Sequence, residues 1–193
     1  MTKTGDQRVP MAKGSNLLGL LYAVEQKFGP ETVRRMTADL PEEMALAVQD
    51  GRMVVSGWYP LEWYKILHRR AQQASGQDNH LAWELAHLFV HHQLGGIYRA
   101  LLKLLSPNWL FRYPSMIFSR YFSQGALAIP ENRPGYVRGE WSGCEGFDHN
   151  IWLATFGGCQ AALERAGAKK VEIRIVSGAN DGDETAVAEG TWS

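Results

Sequence analysis

The chain is poor in cysteine, in net charge and in long apolar runs. Cys144 and Cys159 are its only cysteines in 193 residues. Two are too few for a disulfide framework, they do not fall at metal-site spacing, and such usage fits a reducing cytoplasm. Lys+Arg and Asp+Glu both total 20, so the net charge is zero. The broad basic field that grips a nucleic-acid backbone is therefore missing. No stretch approaches the ~20 apolar residues of a membrane helix. Residues 1–14 carry Lys3, Arg8 and Lys13 without a continuous apolar core, so they read as a flexible polar N-terminal arm and not as a signal peptide. A Walker loop, a nucleophile elbow and a matched pair of catalytic carboxylates are absent too, which argues against an enzyme.

What is present is enough apolar residue, 45%, to bury a sizeable core, and seven tryptophans. The length suits one domain. Leu17, Leu18, Leu21, Val24 and Phe28 recur at threes and fours, which predicts a helix capped by Ser15 or Asn16 and stopped at Gly29-Pro30. A short helix is expected from Glu31, and another from Pro41 to Gly51. Met53–Val55 is expected to be extended, and Trp58-Tyr59-Pro60 to open a helix carrying Leu61, Tyr64, Ile66, Leu67 and Ala71. His80 to Leu105 is helical in pattern, weakened at Gly95-Gly96, and 108–124 is a further aromatic-rich helix disturbed by Pro114.

The last third changes period. Ala126–Ile129 and Tyr136–Trp141 flank the turn Asn132-Arg133-Pro134-Gly135 and predict a hairpin. Asp148 caps a helix ending at Gly167. Val171, Ile173 and Ile175 alternate with Glu172 and Arg174, the pattern of a half-buried strand, and Thr185–Trp192 forms the last one. The expected fold is α+β: a flexible arm over 1–14, then one domain over 15–193. Its helical part spans 15–125, and a β-β-α-β-β part with a four-stranded antiparallel sheet spans 126–193.

His80, Glu84, His87 and His91 are spaced by four, three and four, which puts them on one helical face. Two histidines and a carboxylate can bind zinc or non-haem iron. At about 100° per residue the four span roughly 60° opposite Leu81, Leu85, Leu88 and Phe89. A solvated polar stripe explains them without a metal. His92 falls inside the apolar arc. Either it is a buried neutral imidazole satisfied by its neighbours, or it is a polar contact inside a ligand pocket. Trp58, Tyr59, Trp63 and Tyr64 crowd seven positions and either line a cavity or pack the core. The candidate pocket is therefore His92, Trp58, Tyr59, Trp63, Tyr64 and Phe89. Cys159, beside Gly157 and Gly158, reads as a small hydrophobe rather than a nucleophile; Gly157, Gly158, Ala161 and Ala162 would let their helix pack closely. Gly178–Asp183 is glycine- and acid-rich but too short for a calcium loop, and reads as a hairpin connection.

Three stretches carry a resemblance. Gly19-Leu20-Leu21-Tyr22-Ala23-Val24-Glu25-Gln26-Lys27-Phe28-Gly29 resembles the first helix of haem nitric-oxide/oxygen (H-NOX) domains, and Ala86–Val90 with Tyr98–Leu102 resembles their middle helices. The last third resembles the 4-vinyl-reductase-type domain and TRAPP subunits. Trp58–Glu62, Ser106-Pro107, Tyr121–Gly125 and Gly157–Gly167 look like a myxobacterial domain family of the same fold group. The resemblance implies helices packed on a four-stranded antiparallel sheet and, together with the abundant aromatics and His92, motivates a sensory role.

It does not carry the known cofactors with it. The H-NOX iron ligand is a histidine on the helix before the sheet, and residues 108–125 contain none. The family's Tyr-x-Ser-x-Arg haem motif has its nearest matches at Tyr113–Ile117 and Tyr121–Gly125, both without the arginine. Two cysteines cannot supply the zinc cluster of phenol-sensing relatives. The expectation is a non-enzymatic sensory or regulatory domain, free of haem and other cofactors, for a small, largely apolar ligand. The alternative is a TRAPP-like interaction module, forming a homodimer or holding a protein partner.

Overall fold

A computed structural model of the protein describes residues 9–94 and 107–193. The helix expected at 15–28 runs Gly14–Phe28 (α1) and ends where Gly29 takes φ +84°. Proline starts the next, Pro30–Thr37 (α2), and Glu42–Gln49 (α3) follows Pro41. Leu61–Ser75 (α4) stops at the left-handed Gly76, and His80–Gln93 is α5. The rest of the helix expected to Leu105, with Gly95-Gly96, lies outside the described residues, as do positions 1–8 of the arm. Residues 108–124 are not one helix. A 3-10 turn over Pro107–Arg112 leads to a five-residue helix, Pro114–Phe118 (α6), because Pro114 can only begin a helix.

Two expectations near the N-terminus are corrected. Met11–Lys13 is a strand (β1), not part of an arm, and it pairs antiparallel with Trp58–Pro60 (β2). Ala12 is fully buried there. Trp58-Tyr59-Pro60 is thus a strand leading into α4 rather than its first turn, and the Leu61 amide donates to the Pro10 carbonyl at 2.8 Å. Met53–Val55 is not a strand.

The C-terminal part matches its expected order. Ala126–Arg133 (β3) and Tyr136–Ser142 (β4) form the hairpin. His149–Arg165 (α7) follows, with the Asp148 carboxylate accepting from the Ile151 amide at 3.0 Å, then Glu172–Gly178 (β5) and Ala186–Thr191 (β6). The four strands form one antiparallel sheet ordered β3-β4-β6-β5. Pro130 lies in β3, an edge strand, where its missing N–H costs no ladder bond, and the register shifts between Ala128 and Glu131. The protein therefore has the expected α+β architecture: helices on one face of a four-stranded sheet.

The inner face of the sheet is small at its centre. Gly139, Ala188 and Gly190 are buried there, which leaves room for large side chains from α7. Phe156 stands over that face, with Trp141 edge-on to it at 5.3 Å and Trp152 stacked on it at 6.1 Å between ring centres. α7 also packs on α5. A Cβ at Gly157 would lie 2.3 Å from the Trp83 carbonyl oxygen, so the two helices meet through backbone. Alanine ordinarily favours a helix by ~1 kcal/mol over glycine. Here Gly157→Ala is expected to lose about 1–3 kcal/mol, because the overlap is with backbone that must shift. Urea denaturation reads the sign; a stabilised variant refutes the close approach.

Candidate functional site

The sheet and helices do not close completely on one another. A cavity of about 310 Å³ lies between them, at the small end of the roughly 300–1,000 Å³ range of ligand pockets. Leu20 of α1, Tyr64 and His68 of α4, Phe89 and Val90 of α5, Phe118 of α6, Leu127 of β3 and Trp141 of β4 supply its walls. On α7 the wall is Ala154, Gly158, Cys159 and Ala162, positions that share one helical face. The small residues that the sequence marked for close packing thus do two things. Gly157 lets α7 touch α5, and Gly158 and Ala162 leave empty space. On the other side, Gly19 has the Phe89 ring 2.4 Å from where its Cβ would stand, so α1 allows that ring to sit at the cavity wall.

The cavity is apolar, and among the described residues no Asp, Glu, Lys or Arg lines it. Asn16 is turned away in part, its amide donating to the Tyr121 carbonyl at 3.3 Å, and the Thr155 hydroxyl donates to Ile151 O at 2.8 Å. Two polar atoms stand out. Nε2 of His68 and Nε1 of Trp141 are buried and have no hydrogen-bond partner among the described residues. His68 is only 1% exposed, and its ring stands edge-on to Tyr64 at 4.5 Å. Burial lowers its pKa from 6.5 to about 3, so the imidazole is neutral at neutral pH. Burial, with a smaller push from Asp148, raises the Tyr64 phenol. The Cys159 thiol is pushed up to about 12 by burial, and a thiol is not a nucleophile.

The structure separates the candidate pocket residues. Tyr64 and Phe89 line the cavity. Tyr59 and Trp63 stack on each other at 5.7 Å, and the Tyr59 hydroxyl accepts from the Val54 amide at 2.9 Å. Trp58 is 40% exposed beneath the Lys13 ammonium, 4.3 Å from its ring centre. These three sit at the β1–β2 end and not at the cavity. His92 is exposed and lies tilted against the Tyr22 ring, 4.7 Å between ring centres. Its place in the apolar arc does not bury it, because the last turn of α5 is less covered than the middle; Gln93 beside it is exposed as well.

His68 is the residue that sequence reading passed over, and the signal existed. On the α4 wheel it falls between Leu61 and Tyr64, inside the buried arc.

The four weak metal candidates spread over different partners. His80 stacks on Trp83, Glu84 pairs with Lys27 at 2.9 Å, and His87 meets Glu164 of α7 at 2.8 Å and stacks on His91. Among the described residues no three His, Cys, Asp or Glu side chains are grouped to hold a metal. Gly178–Asp183 forms the β5–β6 connection, with Asp183 accepting from the Asn180 amide at 2.9 Å. Among the described residues no helix is long and apolar enough to cross a membrane.

This arrangement of helices over a four-stranded antiparallel sheet is found in solved structures. The H-NOX protein from K. algicida, solved in its Fe(II) unliganded form, superposes with a TM-score of 0.69 at 14% identity, covering 94% of this chain and 96% of that one. An oxygen-binding H-NOX domain related to soluble guanylate cyclases, solved as its oxygen complex, gives 0.66 at 8% identity over 94% and 95%. The fold is H-NOX-like. No protein-family model matches the sequence, and no curated protein matches it. At such low identity the likeness extends to the fold and not to the chemistry. The H-NOX-like fold places α6 directly before the sheet, and no histidine occurs anywhere between His92 and His149.

Proposed function

We propose that this H-NOX-like chain is a non-enzymatic sensory or regulatory domain that takes a small, largely apolar ligand into the cavity between α4, α5, α7 and the sheet. The observation that carries the reading is the cavity itself: about 310 Å³, apolar, and walled by elements from both halves of the fold. Occupying it would couple the helices to the sheet, which is how a fold of this kind can report a ligand. A non-catalytic role is supported by the chemistry of the walls. They hold three thiol- or phenol-bearing side chains with raised pKa, Cys159, Tyr64 and Tyr121, and no carboxylate among the described lining residues.

The domain works, in this reading, without haem. Support comes from the side chains at hand: the described cavity wall carries one imidazole, His68 on α4, and no arginine for the propionates. The purified protein is expected to be colourless and to develop no Soret band with added haemin. A Soret band that is lost in His68→Phe would instead make His68 an iron ligand. Native mass spectrometry of the freshly purified protein, with thermal-shift screening of neutral apolar compounds, tests the main reading. A ligand that fills the cavity at a hundred times its Kd is expected to add about 2.7 kcal/mol of stability. A screen in which no compound stabilises the protein would remove the proposal.

A second reading, an interaction module of the TRAPP kind, draws on one observation. Tyr113, Met116 and Ile117 around α6 are 57%, 52% and 41% exposed, more apolar surface than one short helix usually presents to water. Light scattering after size exclusion separates the two, since a strict monomer counts against it.

A further inference from the structure

We infer that the cavity ligand is uncharged and presents one hydrogen-bonding oxygen, a carbonyl or hydroxyl, on an otherwise apolar body, and that His68 Nε2 is its recognition atom, with Trp141, whose N–H is unpaired too, on the same cavity's wall. The inference rests on the ligand-binding reading above and specifies its chemistry. Buried polar atoms in folded proteins are nearly always paired, so each unpaired one needs a reason. Here two side chains that carry such an atom, His68 and Trp141, line the same otherwise apolar space. The Trp152 N–H is unpaired as well, but it packs against the Phe147 and Phe156 rings and is not part of that lining.

The two atoms differ in what they ask for. Trp141 Nε1 can only donate, so it needs an acceptor. Neutral His68 offers a donor or an acceptor at Nε2 according to its tautomer. A carbonyl oxygen serves two donors, and a hydroxyl serves a donor and an acceptor. An ionised group is excluded by the walls. Among the described lining residues there is no opposite charge to pair it, and an unpaired buried charge is strongly unfavourable. A purely apolar ligand fits the volume but leaves both nitrogens orphaned. The site thus separates molecules of equal shape by one oxygen. Specificity of that type is steep because rejection comes from the unpaired protein group.

A matched probe series tests this on the intact chain by isothermal titration calorimetry. Acetylnaphthalene, ethylnaphthalene and naphthoate share one ring system and differ in a carbonyl, its apolar equivalent and a carboxylate. The expected order is acetyl tighter than ethyl by about tenfold, the equivalent of one buried hydrogen bond, with naphthoate weakest. In His68→Phe the acetyl preference is expected to collapse towards unity while ethylnaphthalene still binds. In the unmutated protein the His68 Nε2 nitrogen resonance is expected to move with acetylnaphthalene and not with ethylnaphthalene, which keeps the test independent of how the variant folds.

Equal binding of the acetyl and ethyl compounds to the unmutated protein overturns the inference and leaves the ligand-binding reading intact. A preference that survives His68→Phe and disappears in Trp141→Phe overturns the assignment to His68. Binding of none of the three overturns the inference together with the reading beneath it.

Discussion

Below pH 6.5 the protein is expected to lose about 1.4 kcal/mol of stability per pH unit through His68 alone, down to about pH 3. The cause is desolvation. In the unfolded chain this imidazole takes a proton near its ordinary pKa of 6.5, and in the folded chain burial holds it neutral to about 3. Between those values the unfolded state binds the extra proton, so acid favours unfolding. The contribution is whole above 6.5, falls as pH falls, and levels off below the folded value. Over the full window it amounts to about 5 kcal/mol, against total stabilities of roughly 5–15 kcal/mol for ordinary domains. Carboxylates titrate over part of the same range, so the measurement is a comparison. Urea denaturation of the protein and of His68→Phe, in steps from neutral to acid, should give free energies that diverge as pH falls, with the variant keeping more of its stability. Phenylalanine removes both the titration and the orphaned nitrogen. Parallel pH profiles would mean that His68 is not held neutral and that the polar wall of the cavity is wrongly drawn.

Trp152→Ala is expected to cost about 3–5 kcal/mol. Trp152 is fully buried in α7, against Phe147 at 4.8 Å and Phe156 at 6.1 Å between ring centres. Truncation leaves a void where helix and sheet meet, with Phe156 above the small inner face made by Gly139, Ala188 and Gly190. Trp152→Phe should cost much less, about 1 kcal/mol, because it keeps most of the ring packing and deletes an N–H that has no partner. Thermal or urea unfolding of both variants reads the difference. Similar losses in the two would show that the indole nitrogen, and not the ring volume, matters at this position.

The parts of the fold that were legible in the sequence are those built from contacts near in sequence. Gly29-Pro30 stops α1, because a positive φ followed by a residue without an N–H cannot continue a helix. Asp148 caps α7 with its own side chain. The alternation of Ile173 and Ile175 with Glu172 and Arg174 announces β5, and Pro134-Gly135 turns the hairpin. The β1–β2 pair was not legible. Two three-residue strands far apart in the chain carry no usable period, and Trp58-Tyr59-Pro60 reads equally well as a helix entry.

The candidate site shows the same division. Tyr64 and Phe89 were placed at a pocket from pattern alone, and both line the cavity. His92 and His68 occupy comparable places on their wheels, inside an apolar arc, yet one is exposed and the other is buried. A wheel states which way a side chain points and not what stands opposite. The last turn of α5 lies under less cover, whereas α4 at His68 is covered by neighbouring elements.

By itself the sequence determined the α+β class, the order of the strands and helices in the last third, and the absence of any histidine between His92 and His149, because these follow from local period, capping and residue identity. Only the tertiary structure decided that α5 and α7 touch through Gly157, that Gly158 and Ala162 leave a cavity beside that contact, and that His68 and Trp141, each with a buried nitrogen unpaired among the described residues, stand on its wall. Empty space and unsatisfied atoms are properties of what fails to meet across the fold, and no stretch of chain records them alone.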